Sequence, residues 1–205
     1  MKQPAFYLDM TACSGCKTCM VACIDGNDLP LGVMWRRVAE YTGGGWVKQP
    51  GSTYSQDVFS YYASISCNHC ADPICVKNCP TTAMHKNAQG IVLVDHNKCV
   101  GCGYCRWSCP YSAPQLNKAL GKMTKCDFCA KRLDAGLKPL CVQACPMRAI
   151  HFGEYEELKQ RFGNAPHVAP LPEEALTGPC LVLTPPRNAR PVGSRQGKIS
   201  NPEEI

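Results

Sequence analysis

Hydrophobic residues occur along this chain in short runs. Three runs are rich in aromatic, leucine or β-branched residues and therefore predict strands: residues 6–8, 59–65 and 91–94. Each run leads into a segment that contains cysteines. Residues 155–161 predict an amphipathic helix, because Leu158 and Phe162 lie four positions apart among charged residues. The pattern therefore predicts an α+β fold of small strands and short helices.

The C-terminal region has a different pattern. The sequence from residue 164 onward contains eight of the 17 prolines and has little periodicity. Proline fixes φ and removes a hydrogen-bond donor, so residues 161–205 are predicted to form an extended, proline-rich C-terminal arm. The arm is either a flexible terminus or a segment that covers a partner subunit. Leu181-Val-Leu183 favours the second interpretation, because this apolar run would be adhesive if it were left exposed.

Two further segments complete the pattern. Residues 42–54 are rich in glycine and turn-forming residues, which predicts a loop or a hairpin between two modules. No stretch approaches the ~18 consecutive apolar residues that a membrane span requires. Any link to a membrane is therefore expected to come through a partner.

The cysteine content changes the class of protein. Seventeen cysteines are present, an odd number, and many are spaced as C-x2-C. The first ten residues lack the charged and apolar regions of a secretory signal. These observations disfavour a disulfide framework and favour a metal protein.

Sixteen of the cysteines form four groups. Residues 99–110 have the spacing C-x2-C-x2-C-x3-C-P, in which three cysteines bind one iron–sulfur cluster and the fourth binds another. The other groups have the same overall plan, with four cysteines ending in x3-C. The groups are Cys13, Cys16, Cys19 and Cys23; Cys67, Cys70, Cys75 and Cys79; Cys99, Cys102, Cys105 and Cys109; and Cys126, Cys129, Cys141 and Cys145. Cys180 stands outside them and is interpreted as a structural thiol.

The groups form an internal repeat. Asp9 and Asp95 each stand four residues before the first cysteine of a group, and Cys79 and Cys145 are each followed by Pro-x-x-Ala. Each repeat is predicted to be a strand, a cysteine loop and a short helix, and two repeats make one ferredoxin-like module with two clusters.

Proximity in the sequence suggests how the groups pair. Only nineteen residues separate the second group from the third, so we predict an inner module at 55–118. The first and fourth groups would then form an outer module from residues 1–54 and 119–160. A sequential pairing of the first group with the second remains the alternative.

The net charge of +6 would ordinarily suggest an anionic partner. Four oxidised [4Fe–4S] clusters with their thiolates would contribute about −8, which more than offsets it. The basic residues, among them Lys122, Lys125, Lys131 and Arg132 around the fourth group, are therefore interpreted as compensating cluster charge, and no nucleic-acid partner is expected.

The motifs resemble those of a known family. With its four cysteine groups and the stretches CSGCKTC (13–19), ISCNHC (65–70), CRWSCPYSAPQ (105–115) and MTKCDFC (123–129), the chain is similar to the iron–sulfur B subunits of the dimethyl sulfoxide reductase family. The resemblance implies four [4Fe–4S] clusters in an electron-transfer subunit that is not an enzyme on its own. It also implies two partners in anaerobic respiration, a molybdopterin catalytic subunit and a quinol-oxidising integral membrane anchor, with dimethyl sulfoxide or a related oxide as acceptor.

The resemblance also implies which cysteines share a cluster. Cluster 1 would be held by Cys13, Cys16, Cys19 and Cys145; cluster 2 by Cys126, Cys129, Cys141 and Cys23; cluster 3 by Cys67, Cys70, Cys75 and Cys109; and cluster 4 by Cys99, Cys102, Cys105 and Cys79. The outer module would face the catalytic subunit and the inner one the anchor. Family members are exported with a signal-bearing catalytic partner, which implies the periplasmic face of the inner membrane, with the cytoplasmic face as the alternative.

Two other functions are weighed against this one. A self-standing soluble polyferredoxin would use the same clusters, and a zinc-rich binding scaffold would use the same cysteines. No nucleophile or proton-transfer constellation accompanies the cysteines. His69 is either a hydrogen-bond donor to a cluster or a solvated loop residue, and Trp107 is expected to pack over a cluster as shielding.

Overall fold

The structure is a computed structural model that describes residues 3–205. In chain order its elements are β1 (Pro4–Asp9), α1 (Thr18–Gly26), β2 (Arg37–Gly43), β3 (Trp46–Lys48), β4 (Tyr54–Gln56), β5 (Phe59–Ile65), α2 (Ile74–Lys77), β6 (Met84–Lys86), β7 (Val92–Val94), α3 (Tyr104–Ser108), β8 (Gln115–Asn117), β9 (Lys122–Thr124), α4 (Ala130–Asp134), α5 (Leu140–Ala144), β10 (Ile150–Glu154), α6 (Tyr155–Phe162), β11 (Leu181–Thr184) and β12 (Gly197–Ile199). The predicted strands at 6–8, 59–65 and 91–94 and the predicted helix at 155–161 are confirmed, to within a residue or two at their ends. Short elements predominate, as the hydrophobic pattern indicates.

The first sheet has β1 at its centre. β1 pairs antiparallel with β10 and parallel with β11. Residues 5–8 are buried on both faces of the strand: Phe6 and Leu8 join the main core, while Ala5 and Tyr7 pack with Leu158 of α6. Because both faces are covered, this strand is apolar at consecutive positions rather than at alternate ones.

The second sheet joins residues on either side of the predicted module boundary. β2 pairs antiparallel with β5 along seven residues, from Arg37 opposite Ile65 to Gly43 opposite Phe59. The turn-rich segment between them contains the exposed hairpin β3–β4. The predicted boundary between residues 54 and 55 therefore lies between two strands that pair with each other. Tyr41 of β2 and Tyr61 of β5 belong to the same core.

The C-terminal region packs on its own chain. Leu181, Val182 and Leu183 are buried as β11, because β1 presents an edge with which they pair. β12 pairs with β2, and the buried side chain of Asn201 accepts from the Glu40 N–H (2.8 Å) and donates to the Val38 carbonyl (2.9 Å). This differs from an arm whose apolar run covers a partner subunit. The apolar run at 181–183 is buried within the fold of its own chain.

Two pairs of short helices complete the architecture. α1 contacts α5, and α2 contacts α3. The longest helix in residues 3–205 has nine residues, and none has the length and apolar character of a membrane span.

Candidate cluster-binding sites

The packing of α1 on α5 brings the first and fourth cysteine groups together. Cys19 and Cys23 lie one turn apart on α1, while Cys141 lies on α5 and Cys145 directly follows it. Four thiols of the two groups therefore lie on these two helices or directly after them.

One end of this helix pair contains a hollow. Its cavity volume is about 20 Å³, and the cysteines that line it are Cys13, Cys16, Cys19 and Cys145. Polar groups contact the sulfur atoms: the Ala149 N–H donates to Cys145 Sγ at 3.3 Å, and Ser64 Oγ lies 3.3 Å from Cys19 Sγ. This lining set is the one that the family resemblance implies for cluster 1.

A second hollow lies beside α2 and α3. Its cavity volume is also about 20 Å³, and the cysteines that line it are Cys79, Cys99, Cys102 and Cys105. The Met84 N–H donates to Cys79 Sγ at 3.3 Å and the Met123 N–H donates to Cys99 Sγ at 3.4 Å. The two hollows are similar in size and are lined by equivalent members of the repeat.

The remaining cysteines also lie near one another. Burial raises the pKa of Cys126 well above its usual range, and the charges of Cys23, Cys67 and Cys141 raise it further. Burial likewise raises the pKa of Cys129, with a further contribution from Cys141. Cys23, Cys126, Cys129 and Cys141 are the set implied for cluster 2. Cys67, which also lies near Cys126, belongs to the set implied for cluster 3.

The set implied for cluster 3 shows the same electrostatic signature. Burial raises the pKa of Cys75 to about 12, and the charges of Cys67, Cys109 and Cys70 add to this effect, while Lys125 opposes it. Burial also raises the pKa of Cys70 to about 12. Buried thiols crowded together resist ionisation unless positive charge accompanies them, and the iron of a cluster supplies such charge. The donor set therefore fits iron–sulfur clusters.

Glycines in the cysteine loops have a backbone that other residues rarely adopt. Gly15 precedes Cys16 and Gly101 precedes Cys102, with φ of +70° and +71° respectively. A Cβ at Gly15 would collide with the Tyr62 ring, and one at Gly101 would collide with the Gly121 carbonyl oxygen. The loop can close over the hollow only when no side chain is present at these positions.

Replacing Gly101 with Ala is expected to remove the cluster that Cys102 would help to bind. The new methyl must displace the Gly121 backbone, and the left-handed conformation adds about 1–2 kcal/mol of strain. Iron analysis of the purified variant should show a loss of about four iron atoms per chain. Gly103→Ala is the matched control, because Gly103 has φ of +82° but nothing within 4 Å of its Cβ position. Equal iron loss in both variants would show that backbone strain, rather than the collision, is responsible.

The interpretation of His69 as a solvated loop residue is wrong. Its side chain is fully buried and stacks on Phe128 with the ring centroids 3.7 Å apart. The Val92 N–H donates to Nδ1 at 3.0 Å, so Nε2 carries the proton, and no acceptor for it is found within residues 3–205. Burial, together with Lys125 and Lys86, lowers the pKa of the imidazole well below its usual value. His69 is thus a neutral ring with one unused donor.

Other residues also depart from expectation. Trp107 is 77% exposed and contacts Tyr104 edge-on, so it does not pack over a hollow as shielding. Lys125 is buried, and its ammonium group donates to the Val92 and Cys126 carbonyls. Cys180 is almost fully buried, which agrees with its interpretation as a structural thiol. Arg36 is buried among the cysteines, and no pattern in the sequence distinguished it from its neighbour Arg37.

Comparison with known proteins identifies the family. A model of the 4Fe-4S dicluster domain matches residues 58–155. The B subunit of anaerobic dimethyl sulfoxide reductase from Haemophilus influenzae is 50% identical over 205 residues, which cover 100% of both chains. The protein belongs to the family of anaerobic dimethyl sulfoxide reductase B subunits. The resemblance stated from the cysteine motifs is therefore confirmed.

Two further relatives show how far this similarity extends. The B subunit of anaerobic dimethyl sulfoxide reductase from Escherichia coli K12 is 49% identical over 203 residues, covering 99% of this chain and 98% of that one. The B subunit of tetrathionate reductase from Salmonella typhimurium is 37% identical over 163 residues, covering 80% of this chain and 62% of that one. These two dimethyl sulfoxide reductase relatives are thus similar over nearly the full length, and the tetrathionate reductase relative aligns over a smaller part.

Proposed function

We propose that this chain is an electron-transfer subunit that relays single electrons through four [4Fe–4S] clusters. Its partners would be a quinol-oxidising membrane anchor and a molybdopterin catalytic subunit that reduces dimethyl sulfoxide or a related oxide. Membership of the dimethyl sulfoxide reductase family supports this role. The protein would then be membrane-associated through its partners, at the periplasmic face.

The four ligand sets follow the family pairing. Cluster 1 would be bound by Cys13, Cys16, Cys19 and Cys145; cluster 2 by Cys23, Cys126, Cys129 and Cys141; cluster 3 by Cys67, Cys70, Cys75 and Cys109; and cluster 4 by Cys79, Cys99, Cys102 and Cys105. The two hollows support the first and last sets, and the mutual influence of the buried thiols supports the other two. The helix contacts support nesting of the second and third groups between the first and fourth.

Shared elements support a linear order of the proposed sites. α1 carries one ligand of site 1 and one of site 2, Cys19 and Cys23. Cys126 of site 2 lies near Cys67 of site 3. α2 carries Cys75 of site 3 and ends just before Cys79 of site 4. A [4Fe–4S] cluster, when bound, takes up and returns one electron. The protein's task is therefore to hold four such sites in sequence.

The observation that carries the proposal is the exposure of the cysteines. Among all seventeen, only Cys16 and Cys102 are exposed, and they belong to the two terminal sites of this order. Electrons would enter and leave where a site approaches the surface. The ligands of the two inner sites are all buried or half-buried. We assign the surface near Cys102 to the anchor and the surface near Cys16 to the catalytic subunit.

Iron and acid-labile sulfide analysis of the native complex tests this proposal. Four clusters predict about sixteen iron atoms and sixteen sulfides per chain, with paramagnetic signals on reduction. Zinc without labile sulfide would contradict it in favour of a binding scaffold. Size-exclusion chromatography of a native extract separates the remaining alternative, because a free polyferredoxin would elute alone and a subunit would co-elute with a larger partner.

A further inference from the structure

Arg36 is a buried cation near the cysteines of proposed sites 1 and 2. Its side chain is 2% exposed. Nη1 donates to the Ser64 carbonyl at 3.2 Å and to Ser64 Oγ at 3.1 Å, and Nη2 donates to Ser66 Oγ at 3.1 Å. The guanidinium lies 4.5 Å from the centroid of the Phe6 ring. These contacts hold the group in one orientation.

These contacts leave the charge of Arg36 unbalanced. Its hydrogen-bond acceptors are hydroxyl and carbonyl oxygens, and none of the ion pairs found in the described residues involves it. Its Nε has no partner within residues 3–205. A fully buried charge is costly unless an opposite charge lies nearby. The fold therefore needs an anion close to this side chain.

The negative charge near Arg36 would come from the cysteine ligands of two sites once their clusters are bound. The four that act on it are Cys141, Cys19, Cys126 and Cys23. The Ser64 hydroxyl that accepts from Nη1 also lies 3.3 Å from Cys19 Sγ, so Arg36 is one hydrogen-bonded residue away from a ligand of site 1. Cys19 belongs to proposed site 1 and the other three belong to site 2. Arg36 thus lies within electrostatic reach of both sites at once.

We propose that Arg36 is a positioning residue that acts as a fixed counter-charge shared by cluster sites 1 and 2 and raises the reduction potential of both. The inference rests on the proposed four-cluster function. Reduction adds one negative charge to a cluster, and a nearby cation in a dry interior stabilises the reduced form. Arginine suits this role because it does not lose its proton within a protein. Both sites would be tuned together toward easier reduction.

The neighbouring residue provides a matched comparison. Arg37 points elsewhere: Nη2 donates to the Tyr111 carbonyl, and the thiolate that acts on it is Cys109 of site 3. The two adjacent arginines therefore lie near different proposed sites. Arg36 is predicted to affect the first pair of clusters and Arg37 the third cluster.

The test is a redox titration of the full complex monitored by electron paramagnetic resonance. In Arg36→Met, the midpoints of clusters 1 and 2 should fall so that the reduced-to-oxidised ratio at a fixed potential drops about tenfold, which corresponds to 59 mV for one electron. Arg36→Lys keeps the charge and should move them less. Arg37→Met should lower the midpoint of cluster 3 and leave clusters 1 and 2 unmoved. Cys16→Ser and Cys129→Ser identify which signals belong to sites 1 and 2.

Each result decides the question. Full iron content in Arg36→Met with unmoved midpoints would overturn the inference, and so would equal shifts in Arg36→Met and Arg36→Lys. If Arg36→Met loses the iron of sites 1 and 2 while Arg36→Lys retains it, the need for a charge is supported. Loss of iron in both variants overturns it in favour of a purely steric role. The wild-type iron count tests the four-cluster function separately, before any variant is compared.

Discussion

Replacing Cys102 with Ser is expected to convert one cluster to a three-iron form and to stop electron transfer from quinol. Cys102 lines the hollow of site 4 and is exposed, so the substitution disturbs little else in the fold. A serine hydroxyl does not ionise as a thiol does, and the iron that it should bind is lost. Iron analysis should show about one atom fewer per chain, with a new three-iron signal in the oxidised variant.

The control for this variant is Cys180→Ser. Cys180 is buried and lies outside the four proposed sets. The Cys180→Ser complex should keep its full iron content and its quinol-linked activity, even though a buried hydroxyl lowers the free energy of unfolding. A Cys102→Ser complex without a three-iron signal would contradict the assignment of site 4. Iron loss in Cys180→Ser would show that the division into four sets and one structural thiol is incorrect.

Removing iron with a chelator under reducing conditions is expected to unfold much of the protein. Helices α2, α3, α4 and α5 have only four or five residues, which is too short to be stable alone. Their ends carry cysteines, and buried cysteines form part of both main apolar clusters. When ligands and fold depend on each other, metal-binding free energy is folding free energy. We expect the apo chain to lose more than about 5 kcal/mol of unfolding free energy, as much as a typical small domain possesses.

Far-UV circular dichroism and urea titration measure this loss. The holo chain should unfold cooperatively, and the apo chain should show reduced helical signal and an earlier, broader transition. Adding iron and sulfide back should restore the transition, while zinc alone should not. An apo chain that unfolds at the same urea concentration as the holo chain would contradict the prediction, because the apolar core would then suffice without clusters.

The prediction of strands and ligand groups was possible because that information is local. An apolar run such as residues 59–65 predicts a strand from side-chain type and length alone. The C-x2-C steps reflect the reach of one loop around one cluster, so the spacing itself indicates the chemistry. The glycines at 15 and 101 have the same cause, since the loop approaches other atoms too closely for a side chain.

Long-range packing decided the rest. Because the first and fourth groups are more than 100 residues apart in the sequence, only the contact of α1 with α5 shows that they meet. The apolar run at 181–183 could have covered any surface, and it covers β1 because that edge of its own chain is free to pair. Burial of His69 and exposure of Trp107 likewise depend on neighbours far away in sequence.

Arg36 shows most clearly the difference between what local sequence predicts and what long-range packing decides. In the sequence it is one of two adjacent arginines with no distinguishing mark. By itself the sequence determined the cysteine groups, the short elements and the family, because each depends on residues close together in the chain. Only the tertiary structure decided that Arg36 lies buried near cysteines of the first and fourth groups while Arg37 lies near Cys109 of the third. The physical reason is that the interaction energy of a charge depends on its distance from other charges and on its burial. Both are set by the packed fold.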